Sequence, residues 1–88
     1  MNIKGLNFEC TCGLCPEQYD VYNNNDEIVG YVRLRWGNLT CEYPDVMGEM
    51  IYHTTIGSRL TGCFESIEQR IRHLNIIADK ILEKINEQ

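Results

Sequence analysis

The chain contains no long run of apolar residues, and none approaches the roughly 20 that a bilayer-spanning helix needs. It is also poor in proline, with two residues, and in positive charge, with 8 Lys and Arg against 13 Asp and Glu. The net charge of −5 argues against a general nucleic-acid binder, which normally needs a basic surface to release counterions. Its first residues lack the apolar segment of a secretion signal, so we expect a cytoplasmic protein without membrane contact.

Cysteine, in contrast, is abundant, with five residues in a chain of 88. A domain of this size hides only about 60% of the surface that unfolding exposes, and it often needs a disulfide, a metal or a partner. Cytoplasmic thiols stay reduced, and five cysteines cannot all pair within one chain. With 43% hydrophobic residues the chain is globular, and we expect a single domain, residues 1–88, with free thiols or a bound metal.

Alternation of apolar and polar residues predicts an antiparallel sheet within residues 18–56. Residues 18–22 and 28–36 alternate, and the polar run from Asn23 to Asp26 between them predicts a hairpin loop. Gly37-Asn38 is typical of a two-residue hairpin turn. That turn would pair Trp36 with Leu39, Leu34 with Cys41, and Arg33 with Glu42. Residues 49–56 predict one further strand.

From Ser66 onward the hydrophobic period changes from two to 3.6, which predicts a helix over residues 66–86. Ser66 with Gln69 three residues later forms a capping box. The apolar stripe is wide, which suits packing on a sheet and leaves dimerisation open; its members are Ile67, Ile71, Leu74, Ala78, Ile81 and Ile85. The predicted fold is α+β: an antiparallel β-meander of three to four strands, one C-terminal helix packed on it, and an N-terminal loop.

The N-terminal loop, residues 1–17, shows no periodicity of its own but holds three cysteines in six residues. The Cys12-Gly13-Leu14-Cys15 spacing matches half of a structural zinc site, and a metal could tie the loop to the body. The predicted Zn²⁺ ligands are Cys10, Cys12, Cys15 and Cys63. Cys41 falls on the apolar face of the hairpin and is more simply a core residue. Either Cys41 or His53 remains an alternative to Cys10 as the fourth ligand.

Other uses of the same thiols are weaker predictions. A redox dithiol usually opens a helix after a strand, whereas Pro16 and a strand follow here. An iron–sulfur cluster usually needs denser cysteine runs, and unligated thiols are the simplest alternative. No nucleophile elbow, phosphate loop or zinc-protease helix is present, and a four-cysteine zinc site cannot activate water. We therefore expect a protein that is not an enzyme, unless zinc keeps an open position for hydrolysis.

Binding is the function class that remains. Residues 1–30 carry five carboxylates against Lys4 alone, a local charge of −4. This half of the chain could face a basic partner protein, such as one with a nucleic-acid channel. The candidate contact residues there are Glu17, Asp20, Asp26 and Glu27. An alternative contact patch is formed by Tyr31, Arg33 and Arg35, because Arg and Tyr are favoured at interfaces.

The segments at residues 12–22, 30–37, 43–45 and 62–64 resemble a family of small phage and prophage proteins. In that pattern Cys12, Cys15 and Cys63 recur. The family includes a zinc-containing anti-CRISPR protein, an inhibitor of a type II RNA-guided effector nuclease. The resemblance implies a non-catalytic inhibitor in the bacterial host cytoplasm, one that binds the nuclease and hinders loading of target DNA. The alternative is a small phage regulatory or nucleic-acid-associated zinc domain.

Overall fold

The computed structural model describes residues 1–12 and 15–87, and within them it has six strands and one helix. Each strand pairs antiparallel with the next, so the sheet order is the chain order. The elements are β1 Asn2–Ile3, β2 Leu6–Cys12, β3 Glu17–Tyr22, β4 Ile28–Arg35, β5 Asn38–Tyr43, β6 Glu49–Thr55 and α1 Ile67–Asn86. The predicted α+β meander with a C-terminal helix packed on it is confirmed. No helix in the described part of the chain is both long and apolar enough to span a membrane.

The N-terminal region differs from the prediction, because residues 1–17 are largely strand rather than loop. Lys4 and Gly5 both have positive φ, 55° and 86°, and form the two-residue turn between β1 and β2. Leu6 and Phe8 on β2 are buried in the core. Their alternation is too short to predict a strand from sequence. Pairing with β3 supplies the missing stabilisation, and the sheet has six strands instead of three to four.

The central hairpin is also shifted by two residues from the predicted register. Arg35 pairs with Asn38 and Leu34 with Leu39, so the turn residues are Trp36 and Gly37. Both have positive φ, 54° and 71°, as a type I′ turn requires. A shift of two keeps every side chain that remains in β4 and β5 on its predicted face, so apolar residues still pair with apolar ones, while Trp36 leaves the strand for the turn.

The core lies between one face of the sheet and α1. On the helix the fully buried residues are Leu74, Ile77, Ala78 and Ile81. Gly30 on β4 permits this approach, since a Cβ there would lie 2.7 Å from Cδ1 of Ile81. The start of the predicted stripe is not covered, because Ile67 and Ile71 are 66% and 45% exposed.

The predicted N-cap at Ser66 is confirmed, although the return bond from Gln69 reaches the residue before the cap rather than the cap itself. Ser66 is the N-cap, and its Oγ accepts a hydrogen bond from the Gln69 N–H at 3.0 Å. The Gln69 side chain reaches back and accepts from the Glu65 N–H at 2.7 Å. Two otherwise unpaired backbone donors are thereby satisfied, which fixes where the helix begins.

Candidate functional site

The face of the sheet opposite α1 is uncovered by any other described element, and it carries most of the predicted contact residues. Successive side chains on a strand alternate between the two faces. Tyr19, Val32 and Cys41 are buried toward the helix, so their neighbours Asp20, Tyr31 and Glu42 lie on the other side. We call this side the open face.

One row of residues crosses four strands of the open face. Glu9 lies opposite Asp20, Asp20 opposite Tyr31, and Tyr31 opposite Glu42. We call these four residues the acidic row; at the usual strand spacing it spans about 14 Å. None of its three carboxylates forms an ion pair within the described residues. Like charges placed directly opposite each other destabilise a sheet, so this row is not explained by folding stability.

Burial and neighbouring carboxylates together disfavour the charged form of two groups on the open face. Partial burial, followed by the charges of Asp45 and Glu9, raises the pKa of Asp20 above its ordinary value. Burial and the same group of carboxylates raise the pKa of the Tyr22 phenol nearby. A positively charged surface placed against the row would relieve this repulsion.

Glu17, predicted to contact a partner, is instead buried, with 7% of its surface exposed. Its carboxylate accepts hydrogen bonds from the Tyr19 hydroxyl at 2.6 Å and from the Phe64 N–H at 2.9 Å. The Arg70 guanidinium donates two more, at 3.0 and 2.9 Å. The prediction was wrong because this carboxylate is fully used in joining β3 to the segment before α1 and to α1 itself.

The other predicted contact residues are accessible. Asp26 and Glu27 lie in the β3–β4 loop, where Asn23 accepts from the Glu27 N–H and donates to its side chain, both at 3.0 Å. Arg33 lies opposite Thr40 rather than Glu42, a consequence of the shifted register. Arg35 lies over the Trp36 ring, with its Cζ 5.5 Å from the ring centroid. Along β4 the charge of the open face therefore changes. The acidic row crosses the strand at Tyr31, and the positively charged Arg33 and Arg35 follow.

The four predicted zinc ligands lie around one corner of the molecule. Cys15 and Cys63 are joined as a disulfide, with their Cα atoms 5.3 Å apart. Cys10, Cys12 and Cys63 line a cavity of about 280 Å³ beside Glu17 and Arg70. The Cys10 thiol donates to the Cys12 carbonyl oxygen at 2.9 Å. Gly13 and Leu14, which complete the predicted motif, lie outside the described residues.

No group of three or more His, Cys, Asp or Glu side chains within residues 1–12 and 15–87 is arranged to hold a metal. The disulfide was not among the expected states of the thiols, yet it uses two of the four predicted ligands. Reduction of the disulfide would leave four thiols around this corner, and thiolate sulfur is a donor type that zinc accepts.

The two alternative fourth ligands do not belong to this corner. Cys41 is fully buried in the core, as predicted; burial, followed by the charge of Glu42, raises its pKa to about 12. His53 shares a row with Cys12, but four strand spacings, about 19 Å, separate them. Its Nε2 is 3.0 Å from the Asn38 Oδ1.

His73, a possible ligand by residue type that the sequence placed more simply at the boundary of the helix stripe, packs against the segment after Cys63. Its ring stacks on Phe64 with centroids 5.9 Å apart. Its buried Nδ1 has no hydrogen-bond partner within the described residues. Burial, followed by the charge of Arg72, lowers the pKa of His73. This histidine is therefore a neutral packing residue of the helix.

The main feature that sequence reasoning missed is Trp36. The predicted register placed it in a strand opposite Leu39, whereas it is a turn residue with 58% of its surface exposed. The available signal for the true turn was a glycine preceded by Trp36 between two alternating runs. Lys4-Gly5 forms a turn of the same kind, also with positive φ at both residues.

Comparison with protein-family models, curated proteins and solved structures found no match to this chain. The family resemblance of the cysteine, strand and loop motifs therefore stays a prediction.

Proposed function

We propose that this protein is a non-catalytic inhibitor that binds a positively charged surface of a partner protein through the acidic row. The observation that carries the proposal is that Glu9, Asp20 and Glu42 lie in one row across an uncovered sheet face, with Tyr31 between Asp20 and Glu42 and no ion pair to the three carboxylates among the described residues. Repulsion between the carboxylates destabilises the free protein, and a basic partner would relieve it. Electrostatic complementarity of this kind raises association rates and selects partners.

The particular partner we propose is a type II RNA-guided effector nuclease, which the motif resemblance implies. Such a nuclease holds its guide and target in a positively charged channel. An acidic sheet face about 14 Å across could occupy part of that channel and hinder DNA loading. Inhibition would be stoichiometric, because binding rather than turnover is responsible for it.

The proposal is tested by adding the purified protein to a type II nuclease with its guide RNA and measuring cleavage of target DNA. We expect cleavage to fall as the two proteins approach equimolar amounts. A triple variant, Glu9→Gln with Asp20→Asn and Glu42→Gln, should require about tenfold more protein for the same inhibition.

The matched control removes three exposed carboxylates from α1 and its C-cap instead, by Glu68→Gln, Glu83→Gln and Glu87→Gln. Its net charge equals that of the acidic-row variant, so it should inhibit like the wild type. Unchanged cleavage by every type II nuclease tested would exclude this partner. Equal loss in both triple variants would exclude the acidic row as the contact.

We also propose that, in the reducing cytoplasm, Cys10, Cys12, Cys15 and Cys63 hold a structural Zn²⁺. Reduction of the Cys15–Cys63 bond by a cellular dithiol consumes two electrons and two protons and yields two thiols, which lose their protons on binding zinc. Support comes from the position of all four cysteines around one corner. Protein purified under reducing conditions should contain one zinc per chain. Cys63→Ser should lose the metal, whereas Cys41→Ser should keep it.

A further inference from the structure

A groove of about 500 Å³ lies beside the β4–β5 turn, at the basic end of the sheet. Among the described residues it is lined by Cys15, Pro16, Arg35, Trp36, Leu60 and Gly62. Trp36 and Leu60 are 58% and 80% exposed. Tryptophan and arginine are the residues most enriched where binding energy concentrates at protein interfaces. Two large apolar side chains with an arginine beside them are therefore a candidate docking surface.

The backbone holds both walls of this groove in place. The Gly37 N–H donates to the Thr61 carbonyl oxygen at 2.7 Å, and the Gly37 carbonyl accepts from the Ile56 N–H at 2.8 Å. These bonds attach the Trp36-Gly37 turn to the segment that carries Leu60. Within that segment, Ser58 Oγ accepts from the Leu60 N–H at 3.2 Å. A surface fixed before binding loses less conformational entropy when a partner docks.

Trp36 occupies a backbone conformation that does not suit it. Its φ is 54°, in the left-handed region, where Asn and Gly are the usual residues of a type I′ turn. Gly37 is required at the next position, because a Cβ there would overlap the Ser58 carbonyl. An exposed tryptophan in the left-handed region costs stability without improving the core. Residues held in such conformations concentrate at binding and active sites.

The charge of the groove indicates what it binds. Arg35 is the one charged residue among its described lining, and it forms no ion pair within that part of the chain. Arg33, two residues earlier on the same face, is likewise without an ion pair there. In a protein with net charge −5, this end presents uncompensated positive charge.

We propose that the groove binds an extended segment of a partner protein in which an apolar side chain is flanked by carboxylates. The apolar side chain would pack between Trp36 and Leu60, and a carboxylate would pair with the fork of the Arg35 guanidinium. A nucleic acid could stack on Trp36, but one arginine beside two exposed apolar side chains suits a carboxylate next to an apolar side chain better than a run of phosphates. The groove shares Cys15 with the proposed zinc site but no residue with the acidic row, so this proposal does not rest on the acidic row as a contact.

The test uses two fluorescein-labelled hexapeptides and a labelled oligothymidine, with binding to the full chain followed by fluorescence anisotropy. Both peptides carry Phe-Leu at the centre; one is flanked by Asp and Glu and the other by Lys. We expect the acidic peptide to bind at least about tenfold more tightly than the lysine peptide. Arg35→Glu should reverse this order, and Trp36→Asn and Leu60→Ser should each weaken binding of the acidic peptide about tenfold.

Two matched controls keep these effects interpretable. Met47→Ser removes another highly exposed apolar side chain, and Arg72→Glu reverses a charge on α1; neither residue lines the groove. Both should bind the acidic peptide like the wild type. Equal affinity for the two peptides, absence of peptide binding up to about 1 mM, or tighter binding of oligothymidine would overturn the proposal. Equal weakening by the controls would overturn it as well.

Discussion

Glu17 and Arg70, 53 residues apart, form a bidentate ion pair in which Nε and Nη2 of the arginine each donate to one carboxylate oxygen. The pair joins β3 to α1 beside the cysteine corner. The Glu17 N–H adds a backbone bond to the Gly62 carbonyl oxygen at 2.8 Å. These contacts hold the start of β3 against the helix, so residue 17, the end of the predicted N-terminal loop, is tied to the body without a metal.

Glu17→Gln is expected to lower the free energy of unfolding by about 2 kcal/mol. The variant leaves the Arg70 charge partly buried without its partner, and removal of one member of a buried pair is strongly destabilising. Arg70 keeps 30% of its side chain exposed, so water still solvates part of its charge. The destabilisation should therefore be smaller than for a fully buried ion pair. Urea unfolding measures it, with the exposed Glu83→Gln as a control that should change stability by less than about 0.5 kcal/mol.

The same pair predicts a dependence on pH. Burial alone would raise the pKa of Glu17, but hydrogen bonds from Arg70, Tyr19 and Phe64 lower it below its ordinary value. Because the folded-state pKa is the lower one, the stabilisation is complete above the unfolded value of about 4.3 and disappears as the pH falls through the folded value. The stability gap between wild type and Glu17→Gln should therefore narrow in acid. A constant gap from pH 7 to pH 2 would contradict this.

Asp20→Asn is expected to stabilise the protein by up to about 1 kcal/mol at neutral pH, because it removes repulsion from Glu9 across the strands. Burial, followed by the charges of Asp45 and Glu9, raises the pKa of Asp20, so its pKa shift is opposite in direction to that of Glu17. The gain should therefore begin to fade as the pH falls through the raised folded-state pKa and should be gone below the unfolded value of about 3.9. Thermal unfolding measures the effect. Asp79→Asn, the same chemical change at a residue paired with Lys4, should not stabilise.

The sequence predicted the elements whose signals are local. Residues 66–69 contain the signal for the N-cap, and β3 to β5 alternate clearly enough to fix their faces. The hairpin register was wrong by two residues because such a shift changes the partners but still matches apolar residues with apolar ones; only turn geometry at Gly37 distinguishes the two registers. Strand β2 was missed because its stability comes from pairing with β3, a contact that no local pattern reports.

The candidate sites follow the same distinction. The burial of Cys41 could be predicted because alternation places it on the apolar face of β5. Glu17 could not be assigned, since its burial depends on Arg70, a residue of the distant helix. The exposure of Trp36 depends on the true position of the turn. Because the predicted register placed Trp36 in a strand, the groove that it lines could not be predicted.

Trp36→Asn is expected to raise the melting temperature, with a gain of about 0.5–1 kcal/mol in the free energy of unfolding. Asparagine tolerates the left-handed region and is the preferred partner of Gly37 in a type I′ turn. The loss of the Arg35 contact over the ring offsets part of the gain. Trp36→Ala, which lacks the tolerance of asparagine, should give no stabilisation. A lower melting temperature for Trp36→Asn would show that the ring stabilises the fold rather than serving a partner.

Cys41 is expected to resist alkylation in the folded protein, while Cys10 reacts. Burial, followed by the charge of Glu42, raises the pKa of Cys41 to about 12, and the thiolate is the reactive form. Cys10 is exposed to solvent. A pulse of iodoacetamide at neutral pH, read by peptide mass spectrometry, should label Cys41 only after denaturant is added. Equal labelling of the two cysteines in the folded protein would contradict the core position of Cys41.

Reduction of the Cys15–Cys63 bond is expected to lower the free energy of unfolding by about 2–4 kcal/mol, because it releases a chain segment of 48 residues in the unfolded state. If the reduced thiols hold zinc, adding zinc should restore the lost stability, since a metal bound to the native state alone shifts the folding equilibrium. Cys10→Ser separates the two effects. In the oxidised protein this exposed residue contributes little, so the variant should unfold like the wild type, yet its reduced form should gain little from zinc. Failure of zinc to raise the melting temperature of the reduced wild type would exclude the four-cysteine site.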